Sequence, residues 1–145
     1  MRKHTLLKTY GDEEFHSYGV EIGTDLGIFY GYVECREEDY KHESKYLGYE
    51  LAEIKAEIEY ARAKRDYWNA QAMGLNNFWK NMAGTRNYDA NAYWVKQIRS
   101  EVDRAMNKRT YWVDQINALK NTYYAKIVAH DTMSKKLDAA KEVKV

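Results

Sequence analysis

Residues Ile54–Leu75 (IKAEIEYARAKRDYWNAQAMGL) and Ile98–Leu119 (IRSEVDRAMNKRTYWVDQINAL) are two copies of one pattern. Glu57/Glu101, Ala61/Ala105, Lys64/Lys108, Arg65/Arg109, Tyr67/Tyr111, Trp68/Trp112, Gln71/Gln115 and Leu75/Leu119 keep one constant offset. A repeat of this length is one supersecondary unit used twice. Within the first copy, Ile54, Ile58, Ala61, Arg65, Trp68, Ala72 and Leu75 are spaced alternately by four and three. That spacing is the seam of a helix packed along another helix, so the repeat restricts most of the chain to paired helices.

The seam extends back to Leu47 and forward to Trp79 and Met82, which predicts a helix from about Ser44, roughly 40 residues and about 60 Å long. Gly48 and Gly74 interrupt it, each at a cost of about 1 kcal/mol relative to alanine. Gly84–Asp89 reads as a glycine stop, a loop and an aspartate N-cap, with a second helix from near Ala90. Its seam is Val95, Ile98, Val102, Ala105, Arg109, Trp112, Ile116, Leu119 and Tyr123, continuing less regularly through Ile127, His130 and Leu137. The tail from Ser134 reads as a fraying helix end. So short a loop makes the helices antiparallel neighbours, with position i opposite roughly position 172 minus i. Both Lys-Arg-x-Tyr-Trp copies then converge on the middle of the hairpin, Arg65 near Asn107 and Arg109 near Ala63.

The first forty residues follow a period of two. Tyr18, Val20 and Ile22 alternate with Gly19, Glu21 and Gly23, and Ile28, Tyr30 and Tyr32 alternate with Phe29, Gly31 and Val33. Gly23–Gly27 supplies hairpin turn residues, and His4–Tyr10 is a third strand candidate. A two-stranded hairpin alone is marginal in water, so the sheet is expected to lie on a helix. Arg36–Glu43 is a charged junction. The expected fold is α+β: residues 1–43 form a small antiparallel sheet, and residues 44–145 form a long, coiled-coil-like antiparallel helical hairpin, together one integrated domain.

The chain of 145 residues has no proline, and its 14 tyrosines and 4 tryptophans exceed what a solvated coiled coil needs. Such side chains bury much area with few rotors, which favours an interaction surface. One cysteine, Cys35, excludes an internal disulfide and fits a reducing compartment. No apolar run reaches the roughly 20 residues of a membrane span, and no signal-peptide core follows the first residues, so a cytoplasmic protein without membrane attachment is expected. Net charge is +1, but the first 60 residues hold seven Lys/Arg against fourteen Asp/Glu, and the remainder sixteen against eight. Either the halves neutralise each other, within a monomer or across a dimer, or the basic helical half meets a polyanion.

Arg65 and Arg109 are the charged residues in the central seams, and a buried guanidinium needs a partner. Three readings stay open, one of them a register role, in which polar seam residues fix alignment and oligomer state. Asp66, Asp103 or Glu59 could serve as structural partners, or the arginines, with Lys64 and Lys108 beside them, could hold an external anion between walls of Tyr67, Trp68, Tyr111 and Trp112. Trp94 lies five helical turns before Trp112, about 27 Å along the same face, giving an aromatic stripe for core packing or for docking. His4, His16, Cys35 and His42 show no paired zinc-ligand spacing, so no metal and no cofactor is expected. Glycine loops for phosphate, nucleophile elbows and His/carboxylate pairs at catalytic spacing are lacking, so no enzyme activity and no catalytic residue is expected.

Phe29-Tyr30-Gly31-Tyr32-Val33-Glu34-Cys35-Arg36-Glu37-Glu38-Asp39, followed by Leu51-Ala52-Glu53-Ile54-Lys55-Ala56, resembles small uncharacterised accessory proteins of phages and prophages of low-GC Gram-positive bacteria. The resemblance spans about thirty residues and carries no catalytic residue. It implies a protein of the infected host's cytoplasm, of a kind that often inhibits host nucleases or immune effectors, including CRISPR effectors. The expected function is therefore non-enzymatic inhibition of a host defence protein through an aromatic and charged surface, by a homodimer. The alternatives are a nucleic-acid-binding or nucleotide-sequestering module using the basic half, and a structural coiled-coil assembly protein.

Overall fold

A computed structural model of the chain describes residues 4–84 and 93–143. The order of elements is β1 (Thr5–Asp12), β2 (Ser17–Thr24), β3 (Gly27–Glu34), a 3-10 helix (Glu37–His42), α1 (Lys45–Ala83) and α2 (Tyr93–Val143). The fold class is α+β, as the two periodicities predict. The Gly84–Asp89 loop and the helix start near Ala90 fall, apart from Gly84, outside the described residues. The elements divide into two compact units, Met1–Tyr60 with Asn117–Val145, and Ala61–Ile116.

In the first unit the strands form an antiparallel sheet in the order β1-β2-β3. Asp12 Oδ1 accepts bonds from the backbone N–H of Glu14 and Phe15 at 3.0 and 3.3 Å, and His16 takes a left-handed φ of 49°, which closes the first connection. In the second, Thr24 Oγ1 donates to the Gly27 carbonyl at 2.7 Å, and Gly27 has φ 116°, a conformation that favours glycine. Tyr18 opposes Val33, Val20 opposes Gly31 and Ile22 opposes Phe29, so these six share one face. That face meets α1: Tyr18, Val20, Ile22, Val33, Leu51, Ala52 and Ala56 make one buried cluster, flanked by Phe29, Leu47, Tyr49, Tyr123 and Ile127. Complete burial of Val20 and Ile22 contributes roughly 1.5–3 kcal/mol each.

Helix α1 begins where Ser44 Oγ accepts the N–H of Leu47 at 3.1 Å, an N-cap bond. Its first part buries two faces, the seam of Leu51, Ile54 and Ile58 and a second of Ala52 and Ala56. The small second face lets sheet and helix backbones approach closely, because a Cβ on Gly31 would collide with the Ala52 carbonyl. Gly48 is explained in the same way: a Cβ there would enter the Tyr18 ring. Lys126 pairs with Glu50, and the Lys55 ammonium lies 5.7 Å from the Tyr123 ring centroid, which places the Asn117–Val143 part of α2 antiparallel to the start of α1.

In the second unit α1 and α2 are again antiparallel. Arg109 reaches Asn69, Lys64 lies over Trp112 at 6.0 Å, and Arg99 lies over Trp79 at 5.1 Å. Ala61, Ala72, Val95, Ala105 and Ile116 are the buried seam positions. Partner numbers in both units sum to 176 or 178 rather than 172, so the expected register was about one helical turn short. The physical reason is that a heptad seam fixes the facing side but repeats nearly unchanged after one turn. Arg65 therefore lies level with the region of Trp112, not Asn107, and Arg109 level with Asn69, not Ala63. The tail from Ser134 is helical through Val143, and Asp138 within it is tied to the 3-10 helix.

Candidate binding surface

The face of the sheet turned away from α1 is built from the alternate residues of each strand. Lys8 opposes Glu21 and Tyr10 opposes Gly19 across β1 and β2, while Tyr32 opposes Gly19, Tyr30 opposes Glu21 and Ile28 opposes Gly23 across β2 and β3. Three tyrosines and an isoleucine thus stand on a surface that no element among the described residues covers: Tyr10, Tyr30, Tyr32 and Ile28 are 37, 49, 41 and 66% exposed. Leu7, at the bulge of β1, joins them, 50% exposed.

Two glycines of β2 shape this face. A Cβ on Gly19 would run into the Tyr30 hydroxyl and ring, and one on Gly23 would press on Leu7 at 3.1 Å. Tyr30 and Leu7 therefore lie across the strand instead of standing off it. The Tyr10 and Tyr30 rings meet edge to face at 6.2 Å. Tyr10 OH donates to Glu21 Oε1 at 2.8 Å, and the Lys8 ammonium sits 4.6 Å from the Tyr10 centroid. Tyr32 OH donates to Glu34. The bonds to Glu21 and Glu34 raise the Tyr10 and Tyr32 hydroxyls above the usual tyrosine range, so both remain neutral donors. The surface is aromatic, with Glu21 on its central strand and Lys8 and Glu34 on the strands to either side. Such a face suits a protein partner: tyrosine gives large contact area at low entropic cost, and each hydroxyl supplies a directional bond.

The residues singled out by the repeat lie in the second unit. Arg65 donates from Nε to Asp66 Oδ1 at 3.0 Å, so one of the candidate structural carboxylates does meet it. Arg109 donates from Nη1 to the neutral amide oxygen of Asn69 at 3.1 Å and has no carboxylate partner among the described residues. Each Tyr-Trp pair divides its labour. Trp68 and Trp112 are half-buried in the seam, with the exposed Tyr67 and Tyr111 edge-on to them at 5.1 and 5.2 Å. Trp94 is also half-buried. Lys64 lies over Trp112, and Lys108 is exposed beside Arg104 and Tyr111 in a shallow groove of α2. The geometry does not bring the two arginines onto one partner.

Sequence reasoning did not select Tyr10, Tyr30 or Tyr32, although the signal was present in Ile28, Tyr30 and Tyr32 alternating with Phe29, Gly31 and Val33. Alternation shows two faces without saying which is inside. The more aromatic set faces outward because Gly31 and Val33 leave room for α1 to approach.

Three histidines of the first unit, which show no metal-ligand spacing in sequence, each reach carboxylates. His4 Nε2 lies 3.0 Å from Glu53 and 3.4 Å from Glu57, acids one turn apart on α1, and the ligand atoms of the three lie within 4.8 Å of one another. His16 Nδ1 donates to Glu43 at 2.9 Å and stacks on Tyr40. His42 Nε2 donates to Asp138 at 2.9 Å. Cys35 turns its thiol to the Arg36 carbonyl, and burial raises its pKa, which disfavours the reactive thiolate. Among the described residues, no helix is long and apolar enough to cross a membrane.

Comparison of the chain with protein-family models, with curated proteins and with solved structures returned no match.

Proposed function

We propose that this chain is a non-enzymatic binding protein that engages a partner protein through the outer face of its sheet, in the manner of phage accessory proteins that bind and inhibit host defence proteins, CRISPR effectors among them. The observation that carries this reading is the uncovered Tyr10, Tyr30, Tyr32 and Ile28 surface, with Leu7 beside it. A contiguous apolar and aromatic patch of this kind marks an interaction site in a soluble domain. Tyrosines held in place by their own neighbours bind with little further ordering cost. The resemblance of residues 29–56 to phage accessory proteins includes β3 and so supplies the biological setting.

The direct test is interference with immunity. The chain is expressed in a bacterial host with an active CRISPR system, and plating of a targeted phage is counted. Plating restored by at least about tenfold, with a stoichiometric complex of chain and effector on gel filtration, is the expected result. No rescue against any effector type, and no complex with a purified effector, would overturn it.

A second reading, polyanion binding by the second unit, is favoured by one observation. The groove on α2 places Arg104 and Lys108 beside Tyr111, in a segment, 61–116, holding ten Lys/Arg against five Asp/Glu. Binding of labelled DNA or RNA that falls steeply with salt would support it, and salt-independent or absent binding would exclude it.

A further inference from the structure

The first unit contains a second feature, independent of the sheet's outer face. A cavity of about 400 Å³ opens where the end of β3, the start of α1 and the Asn117–Val143 part of α2 meet. Its volume lies in the range of small-molecule sites. Leu51 and Ile127 give it an apolar floor, and Tyr18, Tyr123 and Tyr124 give it aromatic walls.

The polar groups in the lining are strongly one-sided. Glu34, Asp39, Glu43 and Asp131 line the cavity against one arginine, Arg36, and one histidine, His130. Arg36 is already paired with Asp39 at 3.2 Å and with Glu38 at 3.7 Å. Glu43 is held from both sides, by the Tyr18 hydroxyl at 2.7 Å and by His16 at 2.9 Å. Asp131 is different: it is half-buried and has no hydrogen-bond or ion-pair partner among the described residues. A half-buried carboxylate without a partner, at the rim of an aromatic cavity, favours a positive charge. The apolar floor and the tyrosine rings favour a hydrocarbon body attached to it.

We propose that this cavity binds an organic cation, an ammonium or guanidinium carried on a short apolar body. Its charged end lies at Asp131, and its apolar end lies on Leu51 and Ile127, one turn back along α2, with the Tyr123 and Tyr124 rings beyond them. The same chemistry is offered by a free amine and by a lysine or arginine side chain of a bound protein.

The test is a titration followed by methyl NMR of Leu47, Leu51 and Ile127, with phenethylammonium chloride as the probe, 2-phenylethanol as its neutral counterpart, and sodium chloride as the salt control. Saturable shifts at Leu51 and Ile127 are expected with the ammonium, and roughly tenfold weaker binding with the alcohol. Asp131→Asn, which removes no hydrogen bond or ion pair among the described residues, is expected to keep the melting temperature and to weaken the ammonium about tenfold. Tyr124→Leu is a second variant, expected to weaken it by a smaller factor. A parallel titration with N-acetyl-lysine methylamide and N-acetyl-arginine methylamide distinguishes the sources: tighter binding of these points to a partner's side chain, tighter binding of phenethylammonium to a free amine. The proposal is overturned if neither cation gives saturable shifts, if the alcohol binds as well as the ammonium, or if Asp131→Asn leaves ammonium binding unchanged.

Discussion

Glycines at two positions of one helix behave oppositely at the residue scale, and only the structure separates them. Both Gly48 and Gly74 interrupt α1, and helix propensity alone says that alanine at either would stabilise the protein. Gly74 has open space where a Cβ would sit, so Gly74→Ala should raise stability by about 0.5–1 kcal/mol in urea unfolding. Gly48 packs under the Tyr18 ring, so Gly48→Ala should lower stability by about 1–3 kcal/mol despite its better propensity. Equal responses in the two variants would contradict the packing of α1 on β2. The arginines teach a related lesson. Seam position was legible from the repeat, and both are partly buried as it implies. Partner choice was not, because Arg65 meets the next residue in sequence while Arg109 meets an amide forty residues away.

The strands at the element scale were largely legible: the β2–β3 hairpin, its glycine turn and the third strand candidate follow from period-two alternation and turn residues, while the order β1-β2-β3 comes from the structure. The seam also marked which side of each helix is buried. Axial register and the tether at the end of α2 were not legible, since both depend on contacts between residues far apart in sequence. His42 and Lys41 of the 3-10 helix hold Asp138 of α2, and these bonds, the His42 one foremost, lower the Asp138 carboxyl below its usual range. For Glu43, burial pushes the carboxyl up, but bonds from Tyr18 and His16 outweigh it and the net shift is downward. A carboxyl depressed in the folded state binds fewer protons there than when unfolded. Its contribution to stability is therefore complete above the ordinary carboxylate value, about pH 4, and is lost as pH falls through the lower folded value. Thermal melts of the wild type should fall more steeply below about pH 4 than melts of Asp138→Asn, which has already lost this contribution. Identical slopes in that window would show that the tether carries no stability.

The whole molecule presents two classes of surface. The sequence drew attention to the helices, because their repeat is conspicuous and their Tyr-Trp pairs recur. In the structure, Trp68, Trp94 and Trp112 are half-buried, whereas Tyr10, Tyr30 and Tyr32 on the outer sheet face are exposed and held by their own neighbours. Its removal should not disturb the fold: Tyr30→Ser with Tyr32→Ser changes side chains that point away from α1, so far-ultraviolet circular dichroism should be unchanged. Partner affinity should fall by at least about a hundredfold, the sum expected of two hot-spot tyrosines. The corresponding helical variant, Tyr67→Ser with Tyr111→Ser, removes equally exposed rings from the second unit. The most direct measurement is the dissociation constant of the purified complex for wild type, the sheet pair and the helical pair, compared side by side. Loss confined to the sheet pair is the predicted result; full binding by the sheet pair, or loss confined to the helical pair, would contradict it.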